Sequence, residues 1–192
     1  MFENEYYVIQ REHNKHYPLL GWKEGVDIHP DMPIVYSDAF KLKLGKPIPE
    51  KYELVDFHKL PEPVVSQKIF DILFQERLIN VQFVPAFIEH NENVEYGYYY
   101  CHVFNYVPAI DMEKSNYKLD MLGDISILNS FSLSVEKLKK IKLRNRLLFI
   151  AEEYESLYII HESLVEKINK AKPKGVRFIP VDEWSIGSAF QD

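Results

Sequence analysis

Two stretches of the sequence carry the same pattern: PVVSQKIFDILFQERLINVQFVPAF at residues 63–87 and YIIHESLVEKINKAKPKGVRFIPVD at residues 158–182. They align without a gap when position 63 is placed on position 158, an offset of 95. Each has a short apolar run, a segment with helical periodicity, a turn, and a second apolar run that reaches a proline. The pattern therefore predicts two similar strand-helix-strand units.

The middle segments of both stretches are amphipathic. Ile69 and Leu73 lie on one side of the first segment, and Leu164 and Ile168 lie on one side of the second. Residues three or four apart share a face of an α-helix, and an apolar stripe of this kind packs against a core. We expect both helices to bury this stripe.

Local signals predict where the second helix begins and ends. Ser163 and Glu166 have the spacing of a capping box, which predicts a helix start at this serine. Pro173 and Gly175 predict its end, because proline disrupts helical hydrogen bonding and glycine accepts positive φ. The first unit has Asn80 at the position of Gly175, and asparagine also tolerates left-handed backbone.

The rest of the chain is predicted to be mainly β-structure. Residues 6–10, 34–36, 95–107 and 146–150 are strand candidates, and the third is long and aromatic. Residues 134–142 have the spacing of a helix. Because strands and helices do not alternate strictly, the pattern favours an α+β fold with a mixed or antiparallel sheet.

We expect one domain, since no low-complexity linker divides the 192 residues. Its N-terminal part, residues 1–54, contains strands and loops. Residues 55–110 contain the first unit and the long aromatic strand. Residues 111–192 contain the 134–142 helix and the second unit.

Composition and charge restrict the function. The chain has a net charge of −6, which argues against general nucleic-acid binding and suits a basic partner. It has one cysteine, no signal-peptide pattern, and no apolar run near the roughly 18 residues that span a bilayer. We therefore expect a soluble cytoplasmic protein that does not bind membranes.

Sequence motifs of catalysis are absent. The chain has no glycine-rich phosphate loop, nucleophile elbow, or paired-histidine or paired-cysteine zinc pattern, so no cofactor and no catalytic residue is predicted. Imidazole and carboxylate groups within residues 13–31 are the best metal-ligand candidates. They are His13, His16, Asp27, His29 and Asp31. Prolines among them argue against a regular strand, and solvated loop residues are the favoured interpretation over a metal site.

The pair Cys101 and His102 suggests a thiolate nucleophile beside a base. Adjacent residues of a strand point to opposite faces, however, so the two side chains are expected to diverge. A buried structural cysteine is the favoured interpretation.

One stretch of the sequence contains four carboxylates, at Asp111, Glu113, Asp120 and Asp124. Their spacing matches no known acid/base pair or calcium loop. Acidic loops need no special function in an acidic protein, but these residues are our candidates for contact with a basic partner.

Tyrosines and lysines form two further clusters. Tyr96 and Tyr98 are candidate interface residues because tyrosine contributes strongly to protein interfaces, although half of an alternating strand must face the core. The basic run at residues 137–146 is interpreted as a solvated face, balanced by nearby glutamates at residues 152–155.

The ordered segments resemble a family of bacterial immunity proteins, the eleventh-numbered immunity family of polymorphic toxin systems, formerly a domain of unknown function. The similar segments are VDFHKLPEPVVSQKIFDIL (55–73), VQFVPAFI (81–88), PAIDMEKSNY (108–117), RLLFIAEEYESLYIIHESLVEKI (146–168) and GVRFIPVDEW (175–184). The resemblance covers roughly residues 55–184, whereas the first fifty residues match loosely, through Tyr6 and Tyr7.

The resemblance implies a small non-catalytic cytoplasmic protein that binds and blocks a toxin domain. Two alternatives remain open. One is an uncharacterised enzyme with a His/Asp metal site, and the other is a structural or regulatory module that assembles with itself.

Overall fold

The structure is a computed structural model that describes residues 2–35 and 38–190. Its strands are β1 (Tyr6–Arg11), β2 (Leu20–Trp22), β3 (Phe40–Leu44), β4 (Phe57–His58), β5 (Val64–Ser66), β6 (Val81–His90), β7 (Asn93–Val103), β8 (Tyr106–Val107), β9 (Asn116–Leu119), β10 (Ile125–Ser130), β11 (Leu148–Ala151), β12 (Tyr158–His161) and β13 (Val176–Pro180). Its α-helices are α1 (Gln67–Gln75), α2 (Val135–Lys139) and α3 (Glu162–Lys170). Short 3-10 helices cover Phe2–Glu5, Leu143–Arg146, Val181–Glu183 and Ile186–Phe190.

The strands form two main sheets and a separate hairpin. One sheet has the order β13-β1-β12-β11-β8, and the other has the order β2-β3-β6-β7-β5-β4. The pairs β8/β11 and β3/β6 are parallel, whereas the other pairs are antiparallel. Strands β9 and β10 pair with each other. The predicted α+β class with mixed sheets is confirmed.

The two predicted strand-helix-strand units are confirmed as β5-α1-β6 and β12-α3-β13. In each unit the two strands flank a third, antiparallel strand, which is β7 in the first unit and β1 in the second. The N-terminal strand therefore completes a unit whose other parts lie at the far end of the chain.

The central strands have the same register in both units. Tyr7 lies opposite Ile160 and Pro180, and Tyr99 lies opposite Val65 and Pro85. Each partner in the second unit is 95 positions after its counterpart in the first. The sequence similarity thus corresponds to an equivalent arrangement of three strands.

The helices of the two units pack against one shared core, because α1 contacts α3. Ile69 and Leu73 of α1 lie in the same buried cluster as Leu164 and Ile168 of α3, together with Ile9 of β1. Full burial of such a side chain contributes about 1.5–3 kcal/mol, so this cluster is a major source of stability.

The start of α3 differs from the prediction. The helix begins at Glu162, and His161 is its N-cap, with Nδ1 accepting a hydrogen bond from the Ser163 N–H at 3.2 Å. The capping-box prediction at Ser163 is therefore wrong, since His161, two residues earlier, satisfies the helix terminus.

The turn chemistry of the units follows the sequence. Asn80 has φ of 51° and Gly175 has φ of 85°, so both take the left-handed conformation expected of them. The end of α3 is reached before Pro173, because Lys172 also adopts a positive φ of 49° directly after the C-cap Ala171.

One predicted strand is absent from the described residues, and another is divided in two. Residues 34 and 35 are not a strand, because the backbone N–H and C=O of Ile34 bond to the side-chain amide of Gln82 at 2.8 and 3.0 Å; residue 36 lies outside the described residues. The predicted strand 95–107 divides into β7 and β8. Between them, the Asn105 amide donates to the carbonyls of Asn145 and Leu148 and turns the chain into the other sheet.

The predicted helix 134–142 is shorter than expected. Ser134 caps α2 by accepting a hydrogen bond from the Lys137 N–H, and the α-helix covers five residues. A 3-10 helix follows before β11 begins at Leu148, two residues later than predicted. In the described part of the chain no helix is long and apolar enough to cross a membrane.

Candidate partner-binding site

The hairpin of β9 and β10 forms a sheet of its own. Its inner side is fixed to the body of the protein through Leu128, which is buried, and through Tyr117 and Ile125, which pack against the same core cluster. Residues 120–124, which connect β9 to β10, form the tip of the hairpin.

The tip has a defined hydrogen-bonded turn. One carboxylate oxygen of Asp120, Oδ1, accepts bonds from the N–H of Leu122 at 2.8 Å and the N–H of Asp124 at 3.1 Å. The Asp120 N–H donates to the Asp124 carbonyl at 2.9 Å, and Gly123 has φ of 91°. Glycine adopts this conformation without steric penalty, so the sequence suits the turn.

This turn presents two large apolar side chains to solvent. Met121 is fully exposed and Leu122 is 87% exposed, while Leu119 beside them is half exposed. Isolated exposed apolar residues are common, but adjacent ones on an ordered tip form a patch that suits an interaction site. We define the tip patch as Leu119, Met121 and Leu122 with the flanking carboxylates of Asp120 and Asp124.

Sequence reasoning found the carboxylates of the tip and missed its apolar residues. Asp120 and Asp124 are exposed on either side of Met121 and Leu122. The signal was present, because two large apolar residues stand inside a turn sequence, DMLGD, that carries an aspartate and a glycine at turn positions.

The other two predicted acidic residues lie in the segment before β9. The Lys114 ammonium donates to Asp111 Oδ2 at 2.8 Å, and the pKa of the Asp111 carboxyl is held below its usual value chiefly by this bond. Oδ1 of Asp111 accepts the N–H of Glu113, whose own side chain is exposed. The charge of Asp111 is thus locally balanced, whereas Glu113 faces solvent.

The predicted tyrosines lie on β7 in the six-stranded sheet. Tyr96 is 74% exposed, whereas Tyr98 is half-buried, and burial, with Asp56 and Glu95, raises the pKa of its phenol to about 12. Within the described residues, no hydrogen bond or ion pair joins these tyrosines to the four acidic residues. The tyrosines thus lie on a strand of the six-stranded sheet, whereas the four acidic residues lie in the segment before β9 and in the turn between β9 and β10.

Comparison with known families identifies the chain. The model of the immunity protein family Imm11 matches residues 3–183. The chain belongs to the Imm11 family. No curated protein matches the sequence. The match includes the N-terminal segment, which resembled the family only loosely by its residues and which contains β1, the central strand of the second unit.

In this Imm11 protein, Cys101 and His102 do not form a nucleophile-base pair. Cys101 is buried, and burial raises the pKa of its thiol to about 12. His102 bonds through Nε2 to the Met32 carbonyl at 2.7 Å. The interpretation of Cys101 as a buried structural residue is confirmed.

The metal-ligand candidates of the Imm11 chain are not assembled. Among the described residues, no three His, Cys, Asp or Glu side chains are arranged to hold a metal ion. His16, one of the candidates, bonds through Nδ1 to the Lys51 carbonyl at 2.9 Å.

The basic run of the Imm11 chain is a solvated face with local ion pairs, as predicted. Lys137 bonds to Glu153 at 3.0 Å, and Lys140 bonds to Glu136 at 2.8 Å. Arg146 donates to the Tyr6 hydroxyl and lies over the Tyr6 ring, which fixes this side chain against β1.

Proposed function

We propose that this Imm11 protein acts in the cytoplasm as a non-catalytic binder that neutralises a cognate toxin domain, with the tip patch as a principal contact. The observation that carries the proposal is the pair of exposed side chains, Met121 and Leu122, on an ordered turn in a member of an immunity family. A partner that covers such apolar side chains removes them from water, and this burial stabilises the complex.

The tip patch has the composition of an interface anchor. Burial of a Met or Leu side chain contributes about 1.5–3 kcal/mol, so these two residues together supply a substantial part of a binding free energy. The hydrogen bonds of Asp120 hold the turn before any partner arrives. A preorganised turn lowers the entropy lost on association, which favours tight binding.

The charges around the patch support a basic toxin domain as the partner. Asp120, Asp124 and Glu113 are exposed, and the whole chain has a net charge of −6. Complementary charge increases the association rate and disfavours partners with acidic surfaces. Asp111 belongs to the same acidic group, although Lys114 offsets its charge.

The tyrosines of β7 are a second proposed contact. Tyr96 is available to a partner, and its ring lies beside Phe87 with 5.8 Å between ring centroids. Tyr98 contributes less surface because it packs against the core of the six-stranded sheet.

Co-expression tests the proposal. The chain is produced together with the toxin domain encoded beside it, in a host that this domain alone kills. Survival and co-purification of a complex support the proposal. Death of the host at full expression of the chain, without a complex, contradicts it.

A further inference from the structure

A cleft of about 250 Å³ lies where the two main sheets meet. Its walls come from β7 on one side, from β8, β11 and β12 on the other, and from residues 22–30 at the edge. The segment that closes this edge is anchored by the bond between His102 and the Met32 carbonyl. This cleft is separate from the tip patch and shares no residue with it.

Aromatic rings and carboxylates line the cleft together with aliphatic side chains. Its aromatic residues include Trp22, Tyr100, Tyr106 and Tyr158. The rings of Trp22 and Tyr100 lie 5.6 Å apart between centroids. The face of an aromatic ring has negative electrostatic potential and attracts organic cations.

Two glutamates add full negative charge to the same cleft. Glu62 accepts a hydrogen bond from the Tyr158 hydroxyl at 2.8 Å, and Glu155 lines the wall nearby. Neither glutamate forms an ion pair within the described part of the chain, and no lysine or arginine lines the cleft. Burial lowers the pKa of Lys59, and the nearby Glu62 opposes this shift only in part. The Lys59 ammonium donates to Gln10 Oε1.

The glutamates of the cleft also affect the pKa of the phenol groups that line it. Burial raises the pKa of Tyr106, and the carboxylates of Glu155, Asp31 and Glu62 raise it further. The pKa of Tyr158 is raised by burial and by Glu62. The phenols therefore stay protonated and uncharged, so that the glutamates carry the charge of the site.

One polar group at the wall of the cleft has no hydrogen-bond partner among the described residues. Tyr100 is only 3% exposed and lines the cleft, yet its hydroxyl makes no hydrogen bond with any described residue. A hydroxyl in this position is free to bond a ligand in the cleft.

We propose that this cleft is a recognition site for an organic cation, and that its occupant is an arginine or lysine side chain of the toxin domain. The aromatic rings, the Tyr100 hydroxyl and two glutamates that form no ion pair with a described residue together match a guanidinium or ammonium group. The identity of the occupant rests on the proposed function, and the −6 charge of the chain favours a basic partner.

The first test needs no toxin. The full-length chain is titrated with Nα-acetyl-arginine amide, and with the uncharged isostere Nα-acetyl-citrulline amide, while the Trp22 indole resonance is followed by NMR. We expect saturable binding of the arginine compound and binding at least about tenfold weaker for the citrulline compound. Equal binding of the two compounds, or no saturable shift, overturns the proposal.

Matched variants locate the binding site. Glu62→Gln/Glu155→Gln removes two charges from the cleft, and Glu92→Gln/Glu166→Gln removes two charges from exposed positions elsewhere. We expect the cleft variant to bind the arginine compound at least about tenfold more weakly and the control to stay within about twofold of the unsubstituted chain. An equal loss in both variants contradicts a local site. Circular dichroism and the urea midpoint confirm that each variant is folded.

Two further measurements distinguish a toxin side chain from other occupants of the cleft. They also distinguish a failure of this proposal from a failure of the proposed function. Spermidine binding about a hundredfold tighter than the arginine compound would overturn a toxin side chain in favour of a free polyamine. With the toxin domain present, Glu62→Gln/Glu155→Gln is expected to weaken the complex about tenfold or more, and unchanged affinity overturns the occupant. If the chain fails to protect against the toxin but binds the arginine compound in the cleft, the proposed function fails and the cation site stands.

Discussion

Gly175 lies against Val55 so closely that a Cβ atom on the glycine would be 2.4 Å from Val55 Cγ2 and 2.7 Å from the Phe57 carbonyl oxygen. This contact joins the turn after α3 to the segment that enters the first unit. The glycine also has φ of 85°, a conformation that strains other residues.

The first prediction follows from this contact. Gly175→Ala is expected to lower the free energy of unfolding by about 2–4 kcal/mol, because it adds backbone strain to a steric overlap with rigid neighbours. Urea denaturation measures the change. Gly25→Ala is the control, since a Cβ there meets no atom within 4 Å and should change stability little. Equal stability of the two variants would contradict the role of Gly175.

The second prediction concerns His58. Burial lowers the pKa of His58 from 6.5 to about 4, and its ring contacts the Pro18 carbonyl through Nδ1 at 3.2 Å and the Val55 N–H through Nε2 at 3.4 Å. These contacts need the neutral ring, with Nδ1 as donor and Nε2 as acceptor. Protonation would remove the acceptor.

The unfolded chain binds a proton at His58 below pH 6.5, whereas the folded chain does so only near pH 4. Stability should therefore fall as the pH decreases through this window, by up to about 3 kcal/mol from this residue. Urea denaturation at a series of pH values measures the slope, and His58→Gln should flatten it. An NMR titration that places the pKa of His58 near 6.5 would refute the prediction.

The third prediction concerns the single thiol. Cys101 is buried among Val65, Ile69 and other apolar residues, and the pKa of its thiol is raised to about 12. Since the thiolate is the reactive form, Ellman's reagent should not label the native protein and should label one thiol in denaturant. Rapid labelling of the native protein would restore the nucleophile interpretation that the fold argues against.

The two strand-helix-strand units could be predicted because their signals are local. Apolar spacing such as Ile69 to Leu73 sets the buried face of a helix whatever surrounds it, and Asn80 and Gly175 mark the turns. The position of β1 could not be predicted, because pairing between residues 6–11 and the C-terminal unit depends on contacts more than 140 positions apart in sequence.

Polar side chains account for the errors in the strand boundaries. Gln82 bonds both backbone groups of Ile34, and Asn105 bonds two carbonyls of another segment. These side-chain hydrogen bonds take the place of the backbone hydrogen bonds between strands that a strand prediction assumes. Their partners lie 40 or more positions away, so no local pattern reveals them.

Only part of each candidate site could be predicted, because the rest depends on how the chain folds. Charge identified Asp120 and Asp124, but the exposure of Met121 and Leu122 depends on the turn they occupy. The cleft combines Trp22, Glu62 and Tyr158 from three distant segments, and only the packing of the two sheets brings them together. Sequence alone treats each as an isolated aromatic or acidic residue.

The affinity of tip-patch variants for the purified toxin domain tests the central claim most directly. Isothermal titration should show that Met121→Ser/Leu122→Ser weakens binding by at least about a hundredfold, because both anchors lose their apolar surface. Leu143→Ser, which changes an exposed leucine elsewhere on the surface, should bind within about twofold of the unsubstituted chain. If the tip variant is folded and binds the toxin as tightly as the Leu143 control, the tip patch is not the contact and the account is contradicted.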